Sequence, residues 1–152
     1  EILVATMTGT AHLVAQEIEL TYGDDEDIQI NVQLMDDLTP AVFHSDESSI
    51  YLICTSTYGQ GDVPDNGQAL YEALGRERPD LSQIRFGVLG LGDMTYADTF
   101  NFGGMHFEKI LTDLGAQQIG ERAKLDATDG ELPEDEGIAW MQGWLSVVRE
   151  MV

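Results

Sequence analysis

The chain has 152 residues, a length that suits one domain with its own hydrophobic core, and we predict a single domain over residues 1–152. It carries 28 acidic and 7 basic residues, and the resulting net charge of −21 argues against binding to nucleic acid or to anionic membrane surfaces. The single cysteine, Cys54, excludes an internal disulfide. Together with the lack of a recognisable secretory signal or membrane span, this predicts a cytoplasmic protein.

The first predicted elements are a buried strand at residues 2–5 and an amphipathic helix whose apolar residues recur at helical spacing from Leu13 to Ile18. The connecting loop, residues 6–11, contains three threonines and one glycine. The first N–H groups of a helix have no partner within the helix, and the helix dipole attracts anions to them. The loop is therefore a candidate phosphate site. The alternative is that Thr8 or Thr10 only caps the helix.

Basic residues are missing from the region of this loop. Fourteen acidic residues and no Lys or Arg precede Arg76. A nucleoside triphosphate site normally contains a lysine, as in Gly-x-x-x-x-Gly-Lys-[Ser/Thr], and no segment matches that motif. We therefore predict that the loop binds its phosphate with uncharged donors, and that a single terminal phosphate fits it better than a triphosphate.

Strand-like and helix-like segments alternate along the rest of the chain. We predict strands at residues 28–34, 50–55, 85–91 and 117–125, and helices at residues 68–78, 105–114 and 136–152. In the last helix the side chains predicted to face the core are Trp140, Trp144, Val147 and Val148. The alternation predicts an α/β fold in which helices cover both faces of a parallel sheet. Ligands of such sheets bind beyond the carboxyl ends of the strands, where the loops after the first, third and fourth strands meet.

The second and third of these loops each contain a tyrosine among glycines. Tyr58 precedes the segment Gly59-Gln60-Gly61, and Tyr96 follows Gly90-Leu91-Gly92 by a few residues. Two tyrosines at one sheet edge would enclose a planar ring system between them. The alternative is that each ring covers the end of the core while its hydroxyl group stays in water.

Three segments, residues 6–11, 56–66 and 90–96, resemble the three FMN-binding loops of flavodoxins. They are most similar to the branch shared with the FMN domains of diflavin reductases, and over its full length the chain resembles the MioC group of short-chain flavodoxins. The resemblance implies a flavodoxin-like three-layer sandwich with a five-stranded parallel sheet in the order 2-1-3-4-5. It also implies non-covalent binding of FMN.

The resemblance assigns the cofactor-binding residues. The phosphate is assigned to Thr6, Met7, Thr8, Gly9, Thr10 and Ala11. Tyr58 and Tyr96 would flank the isoalloxazine ring, and the peptide at Gly59 would lie near its N5 atom. The remaining assigned residues are Ser56, Thr57, Leu91, Gly92, Asp93, Phe100 and Asn101. Residues 126–129 are a further candidate contact with the flavin.

The resemblance implies an electron carrier that moves single electrons from an NADPH-dependent flavodoxin reductase to redox enzymes. Its acceptors would be metalloenzymes, and the likeness to MioC points to biotin synthase. Acidic residues near the ring, among them Asp62, Asp93 and Asp98, predict an acidic docking face for basic partners of a monomer. We find no catalytic triad and no residues at metal-ligand spacing. Two alternatives stay open: an FMN-dependent oxidoreductase of the quinone-reductase type, and a flavodoxin-like adaptor that has lost FMN.

Overall fold

Strands and helices alternate in the computed structural model, which describes residues 1–44, 48–57 and 59–151. The strands are β1 (Ile2–Ala5), β2 (Val32–Leu34), β3 (Tyr51–Thr55), β4 (Arg85–Gly92), β5 (Gln117–Gln118) and β6 (Ala123–Asp126). The helices are α1 (Thr10–Tyr22), α2 (Asp65–Glu77), α3 (Phe102–Asp113) and α4 (Pro133–Met151). Short 3₁₀ helices cover Met35–Asp37, Pro40–Val42 and Met94–Thr99. In these parts of the chain, none of the helices has both the length and the hydrophobicity of a transmembrane segment.

The described strands form one parallel sheet in the order β2-β1-β3-β4-β5, with β6 also paired to β4. The predicted order is confirmed. The third strand lies at the centre, as its continuous apolar sequence indicated, and all of its residues are buried. Parallel strands with both faces covered are expected to be apolar throughout, because neither face meets water.

The predicted fifth strand is divided into two pieces. Strand β5 pairs with the start of β4 at Arg85 and Phe86, and β6 pairs with its end. Between them Gly120 has a φ of +71°, a left-handed conformation that cannot continue an extended strand. The interruption turns Arg122 towards α3, where its guanidinium contacts Glu108 at 2.8 Å.

Alternate residues of the central strands point into two separate hydrophobic clusters. Leu3 and Ile53 belong to the cluster under α2 and α3, whereas Val4 and Cys54 belong to the cluster under α1 and α4. This division follows from the two-residue period of a strand. The sheet is therefore covered on both faces, as predicted, and Cys54 is fully buried.

The predicted core face of the last helix is wrong for one residue. Trp144 is 7% exposed, whereas Val147 is 43% exposed. Successive helical residues are about 100° apart, so Val147 lies on the flank of the stripe formed by Met141, Trp144 and Val148. Apolar character alone did not distinguish this flank from the centre of the stripe.

Two helices begin three residues earlier than predicted, because glycines inside them resemble turn residues in the sequence. Helix α2 begins at Asp65, and a Cβ on Gly67 would lie 2.8 Å from the Ala5 Cβ. Helix α3 begins at Phe102, and a Cβ on Gly103 would lie 2.2 Å from the Ser56 carbonyl oxygen. These glycines allow close packing of the helices against neighbouring backbone and side chains. Helix α4 also begins earlier, at Pro133, a residue type favoured in the first helical turn.

The predicted second strand is shorter than its alternating sequence indicated. Residues 28–34 were expected to be extended and paired, but only Val32–Leu34 pairs with β1. Strand β1 begins at Ile2, whose N–H donates to the Asn31 carbonyl at 2.8 Å. Asn31 is thus the last residue on this side that bonds to β1, and residues 28–30 lie outside the paired segment.

We predict that Gly87→Ala destabilises the protein. A Cβ at this position would lie 2.6 Å from the Trp144 ring, whose indole N–H donates to the Ile119 carbonyl at 2.9 Å. Overpacking of this kind costs about 1–3 kcal/mol. Urea unfolding should show the loss, whereas Gly75→Ala, an open site in α2, should be neutral or stabilising. Equal stabilities of the Gly87→Ala variant and the unaltered protein would contradict this account of the packing.

Candidate cofactor site

A cleft of about 430 Å³ lies at the carboxyl edge of the sheet, where the loops after β1, β3, β4 and β6 meet. Its walls combine residues that lie far apart in the sequence. The structure brings most of the predicted cofactor residues together there: Thr8, Thr10, Ser56, Thr57, Gly59, Leu91, Gly92, Asp93, Tyr96, Phe100 and Asn101. The predicted partner of Tyr96 in flanking the ring, Tyr58, lies outside the described residues.

Four predicted phosphate residues do not line the cleft but shape the loop that does. The hydroxyl oxygen of Thr6 accepts a hydrogen bond from Gly9 N at 3.0 Å, and the Met7 sulfur accepts one from Asp65 N at 3.3 Å. Gly9 precedes the first helical residue, and the Ala11 side chain is buried in the core beneath α1. Only a backbone N–H of Ala11 is therefore available to a ligand.

The N-terminus of α1 places backbone N–H groups beside the cleft. Gly9 has a φ of +90° at the N-cap position, and no side chain caps the helix. The N–H groups of the first helical turn consequently have no acceptor within the helix. The hydroxyl groups of Thr8 and Thr10 lie 3.4 Å apart beside them. This set of uncharged donors fits a phosphate, and the interpretation of either threonine as a cap is not supported.

The other end of the cleft is apolar. Its lining includes Leu91, Phe100, Leu125 and Ala127. Tyr96 stands at the mouth and is 64% exposed, so its ring has no close packing partner on one side. A planar ring system bound at this end would bury apolar surface that now faces water.

A hydrogen-bond network fixes the loop that forms this apolar end. Asn101 is fully buried with a φ of +62°. Its side-chain amide donates to the Gly90 carbonyl at 2.8 Å and accepts from Arg122 Nε at 3.1 Å. Arg122 also forms the ion pair with Glu108, whose second carboxylate oxygen accepts from Gln118 at 2.8 Å. The predicted contact of Asn101 with a cofactor stays a prediction, since its amide already has protein partners.

The segment after β6 forms a wall of the cleft that sequence reasoning largely missed. Asp126 and Ala127 belong to the candidate segment 126–129, but Leu125, Pro133 and Glu136 were not predicted, and neither was Thr99 in the loop after β4. Hydrogen bonds from Thr128 and Met94 to the Asp126 carboxylate lower its pKa. The only signal in the sequence was position, since this segment follows a strand at the edge where ligands bind.

Glu136 has a different electrostatic environment. Burial in the cleft wall, a hydrogen bond with Asp129 and the charges of Asp129, Glu131 and Asp126 raise its pKa to about 7. The N-terminus of α4 favours a carboxylate at this position, but desolvation and the neighbouring acids outweigh that effect.

Comparison with known proteins identifies the family. Residues 2–140 match the family model described as Flavodoxin. The chain belongs to the flavodoxin family. Members of this family bind FMN and transfer electrons, and the relatives and solved structures agree with the resemblance found in the sequence.

This flavodoxin is similar to the protein MioC of Escherichia coli K12, with 41% identity over 102 residues that cover 67% of this chain and 69% of MioC. It is 40% identical over 104 residues to human NADPH–cytochrome P450 reductase, covering 68% of this chain and 15% of that much longer enzyme. A cysteine-to-alanine mutant of flavodoxin from Pseudomonas aeruginosa superimposes with a TM-score of 0.81 and 28% identity, covering 97% of each chain. The resemblances to MioC and to diflavin reductases are thus confirmed.

The cleft of this flavodoxin fits FMN in its chemistry. Open N–H groups and threonine hydroxyls at one end match a phosphate monoester. Apolar side chains at the other end match a flat ring system. Gly92 contributes to this shape, because a Cβ there would lie 2.8 Å from the Phe100 ring and displace it.

We predict that Arg122→Met destabilises this flavodoxin and weakens FMN binding. The substitution leaves the Glu108 carboxylate and the Asn101 amide oxygen without their partner, and the Arg122 side chain is only 14% exposed. An unpaired polar group of this kind costs about 1–3 kcal/mol. Arg76→Met is the matched control, because the Arg76–Glu77 pair is 3.6 Å long and largely exposed. Chemical denaturation and FMN titration should separate the two variants, and equal effects of both would contradict a structural role for the network.

Proposed function

We propose that this flavodoxin binds FMN non-covalently in the cleft and carries single electrons between a reductase and oxidised acceptors. One observation carries the proposal: an anion-binding helix N-terminus and an apolar region are joined in one cleft at the carboxyl edge of the sheet. A bound FMN would supply the redox chemistry through its ring. The protein's residues bind the cofactor, orient it and set the polarity around it.

In this proposal the two ends of the cleft have separate tasks. Thr8, Thr10 and the open N–H groups of α1 hold the phosphate. Leu91, Gly92 and Phe100 form the surface against which the ring lies. Gly59 lines the same cleft with a φ of +53°, a conformation that glycine adopts at little cost. Its place beside the ring allows the backbone peptide there to contact the flavin edge.

The proposed donor is an NADPH-dependent flavodoxin reductase, and the proposed acceptors are metalloenzymes, with biotin synthase suggested by the likeness to MioC. Support comes from charge and exposure. Asp62 and Asp98 are exposed beside the cleft, and Tyr96 and Met94 expose apolar surface at its mouth. A basic partner would be attracted by the carboxylates and would dock on the apolar surface of Tyr96 and Met94.

We further propose that the chain acts as a monomeric, cytoplasmic, single-domain carrier.

The direct test is an FMN titration of the purified protein, followed by visible absorption and flavin fluorescence. The proposal predicts tight, saturable binding and reduction of bound FMN when NADPH and a flavodoxin reductase are both added. Steady NADPH oxidation by the isolated holoprotein would favour the oxidoreductase alternative instead. Failure to bind FMN would support the adaptor alternative and overturn the proposal.

We predict that Thr10→Val weakens FMN binding by about tenfold, because a hydrogen bond to a charged group contributes about 1.5 kcal/mol. Riboflavin, which lacks the phosphate, should bind the variant and the unaltered protein equally well. Thr21→Val is the matched control, since Thr21 is an exposed threonine in the last turn of the same helix. A parallel loss of riboflavin affinity in Thr10→Val would show that the substitution disturbs the fold rather than the phosphate site.

We predict that electron transfer to a basic acceptor slows as ionic strength rises, because salt screens the acidic surface. Asp98→Asn should lower the rate at low salt by about twofold, the size expected for one solvated charge. Asp113→Asn removes an exposed charge at the far end of α3 and should have no effect. Stopped-flow measurements provide the rates. Rates that do not change with salt would contradict steering by the acidic surface.

A further inference from the structure

The charged side chains that line the cleft are all acidic. Among the described residues they are Asp93, Asp126 and Glu136, and no Lys, Arg or His lines it. A phosphate monoester has a second pKa of about 6, so it enters such a cleft at neutral pH mainly as a dianion. Each ionised carboxylate near it opposes binding. The ionisation states of these three acids therefore bear directly on cofactor affinity.

Two of the three carboxylates accept hydrogen bonds from the backbone. Asp93 accepts from Thr95 N at 2.8 Å. Asp126 accepts from Met94 N at 3.0 Å and from Thr128 N at 2.9 Å. Glu136 differs, because its surroundings favour the protonated acid: burial, a hydrogen bond with Asp129 and three nearby acids raise its pKa.

The packing of two helices brings the turn of α4 that carries Glu136 beside the start of α1. A Cβ on Gly137 would lie 2.6 Å from Val14 Cγ1, so the two helices touch there. Gly137 and Val14 each follow the first residue of their helix by four positions, and Arg149 pairs with Asp25 where the same helices end. Helices α1 and α4 are therefore parallel, and their N-terminal turns lie side by side. Thr10 and Glu136 line the same cleft from these two turns.

No cation offsets Glu136 from the described elements packed against it. Its charged neighbours, Asp126, Asp129 and Glu131, all precede α4 and are all acidic. In the described structure, the other charged or titratable side chains of α1, β6 and the first turn of α4 do not line the cleft: His12, Glu17, Glu19, Tyr22, Lys124, Glu134 and Asp135. Among the described lining residues, no positively charged side chain would thus offset an ionised Glu136 when a phosphate binds in the cleft.

We propose that Glu136 is a determinant of FMN affinity that binds the cofactor as the neutral acid, so that FMN binding is coupled to protonation of the Glu136 carboxylate from solvent. This inference rests on the proposed function. Ionised Glu136 repels the phosphate dianion, whereas the neutral acid does not and can donate a hydrogen bond. By linkage, the bound phosphate raises the affinity of Glu136 for its proton by the same factor.

The expected pH dependence follows in sign and size. Below pH 7 the free protein already has Glu136 protonated, and FMN binds without a penalty. Above it, the ionised carboxylate opposes the phosphate, so affinity falls as pH rises. At about pH 8 the protonated fraction is about one tenth, so apparent binding weakens by at most about tenfold.

The test compares FMN binding by the unaltered protein, Glu136→Gln and Glu134→Gln over a pH range from about 6 to about 8.5, a span that brackets the Glu136 titration. Glu134→Gln is the matched control, because it removes the same charge from the same helical turn at a residue outside the cleft. Glu136→Gln should bind more tightly than the unaltered protein at about pH 8, by at most about tenfold, and equally well at about pH 6. Glu134→Gln should follow the unaltered protein. Ionisation of FMN itself is common to all three and cancels in the comparison.

Calorimetry in two buffers of different ionisation enthalpy measures proton uptake directly. At about pH 7.5, inside the Glu136 titration, the unaltered protein should take up more protons per FMN than Glu136→Gln does, and riboflavin should show no such difference.

Equal pH profiles for the unaltered protein and Glu136→Gln, or equal effects of the two substitutions, would overturn the proposal while leaving FMN binding intact. A failure of the unaltered protein to bind FMN at any pH would overturn the proposed function and this proposal with it.

Discussion

The unpaired N–H groups at the start of α1 are the feature on which the rest of the site depends. A phosphate needs donors, and this cleft has no basic side chain among its described lining residues to provide them. The donors must then be backbone groups and hydroxyls, whose positions are set by the join between β1 and α1. Two contacts hold this loop in place: the Ala11 side chain is buried in the core, and Gly9 N donates a hydrogen bond to the Thr6 hydroxyl oxygen. An acidic surface can therefore coexist with an anionic cofactor.

The ring end of the cleft depends on a different kind of support. Its loop passes through Asn101 in a left-handed conformation, held by Gly90 on one side and Arg122 on the other. Arg122 lies between the two pieces of the fifth strand, two residues after the left-handed Gly120. The interrupted sheet edge and the apolar end of the cleft are thus linked through the hydrogen bond between Arg122 and Asn101.

The sequence predicted features that depend on local pattern. Two-sided burial and the loop N-terminal to α1 follow from apolar runs, alternation and turn residues, whereas the strand order was implied by the resemblance to flavodoxins. Helix starts were placed too late where Gly67 and Gly103 occur, because the sequence alone does not distinguish a glycine needed for close packing from a glycine in a turn. The two-piece fifth strand was missed because its residues show no periodicity that marks Gly120 as a break.

The wall formed by Pro133 and Glu136 was missed for a related reason. An acidic stretch is typical of a solvated surface, and only the packing of α4 beside α1 turns one of its carboxyls into the cleft. Which acidic side chain lines the cleft is decided by contacts between helices that are distant in sequence, and a local sequence pattern does not reveal these contacts. The assignments of individual residues to FMN remain predictions, including that of Tyr58, which lies outside the described residues.

A crystal structure of the FMN complex tests the central claim most directly. We predict that the phosphate oxygens are bound by backbone N–H groups and hydroxyls of residues 6–11, with no Lys or Arg side chain in contact with them. A phosphate bound by a basic side chain, or placed away from the start of α1, would contradict the account.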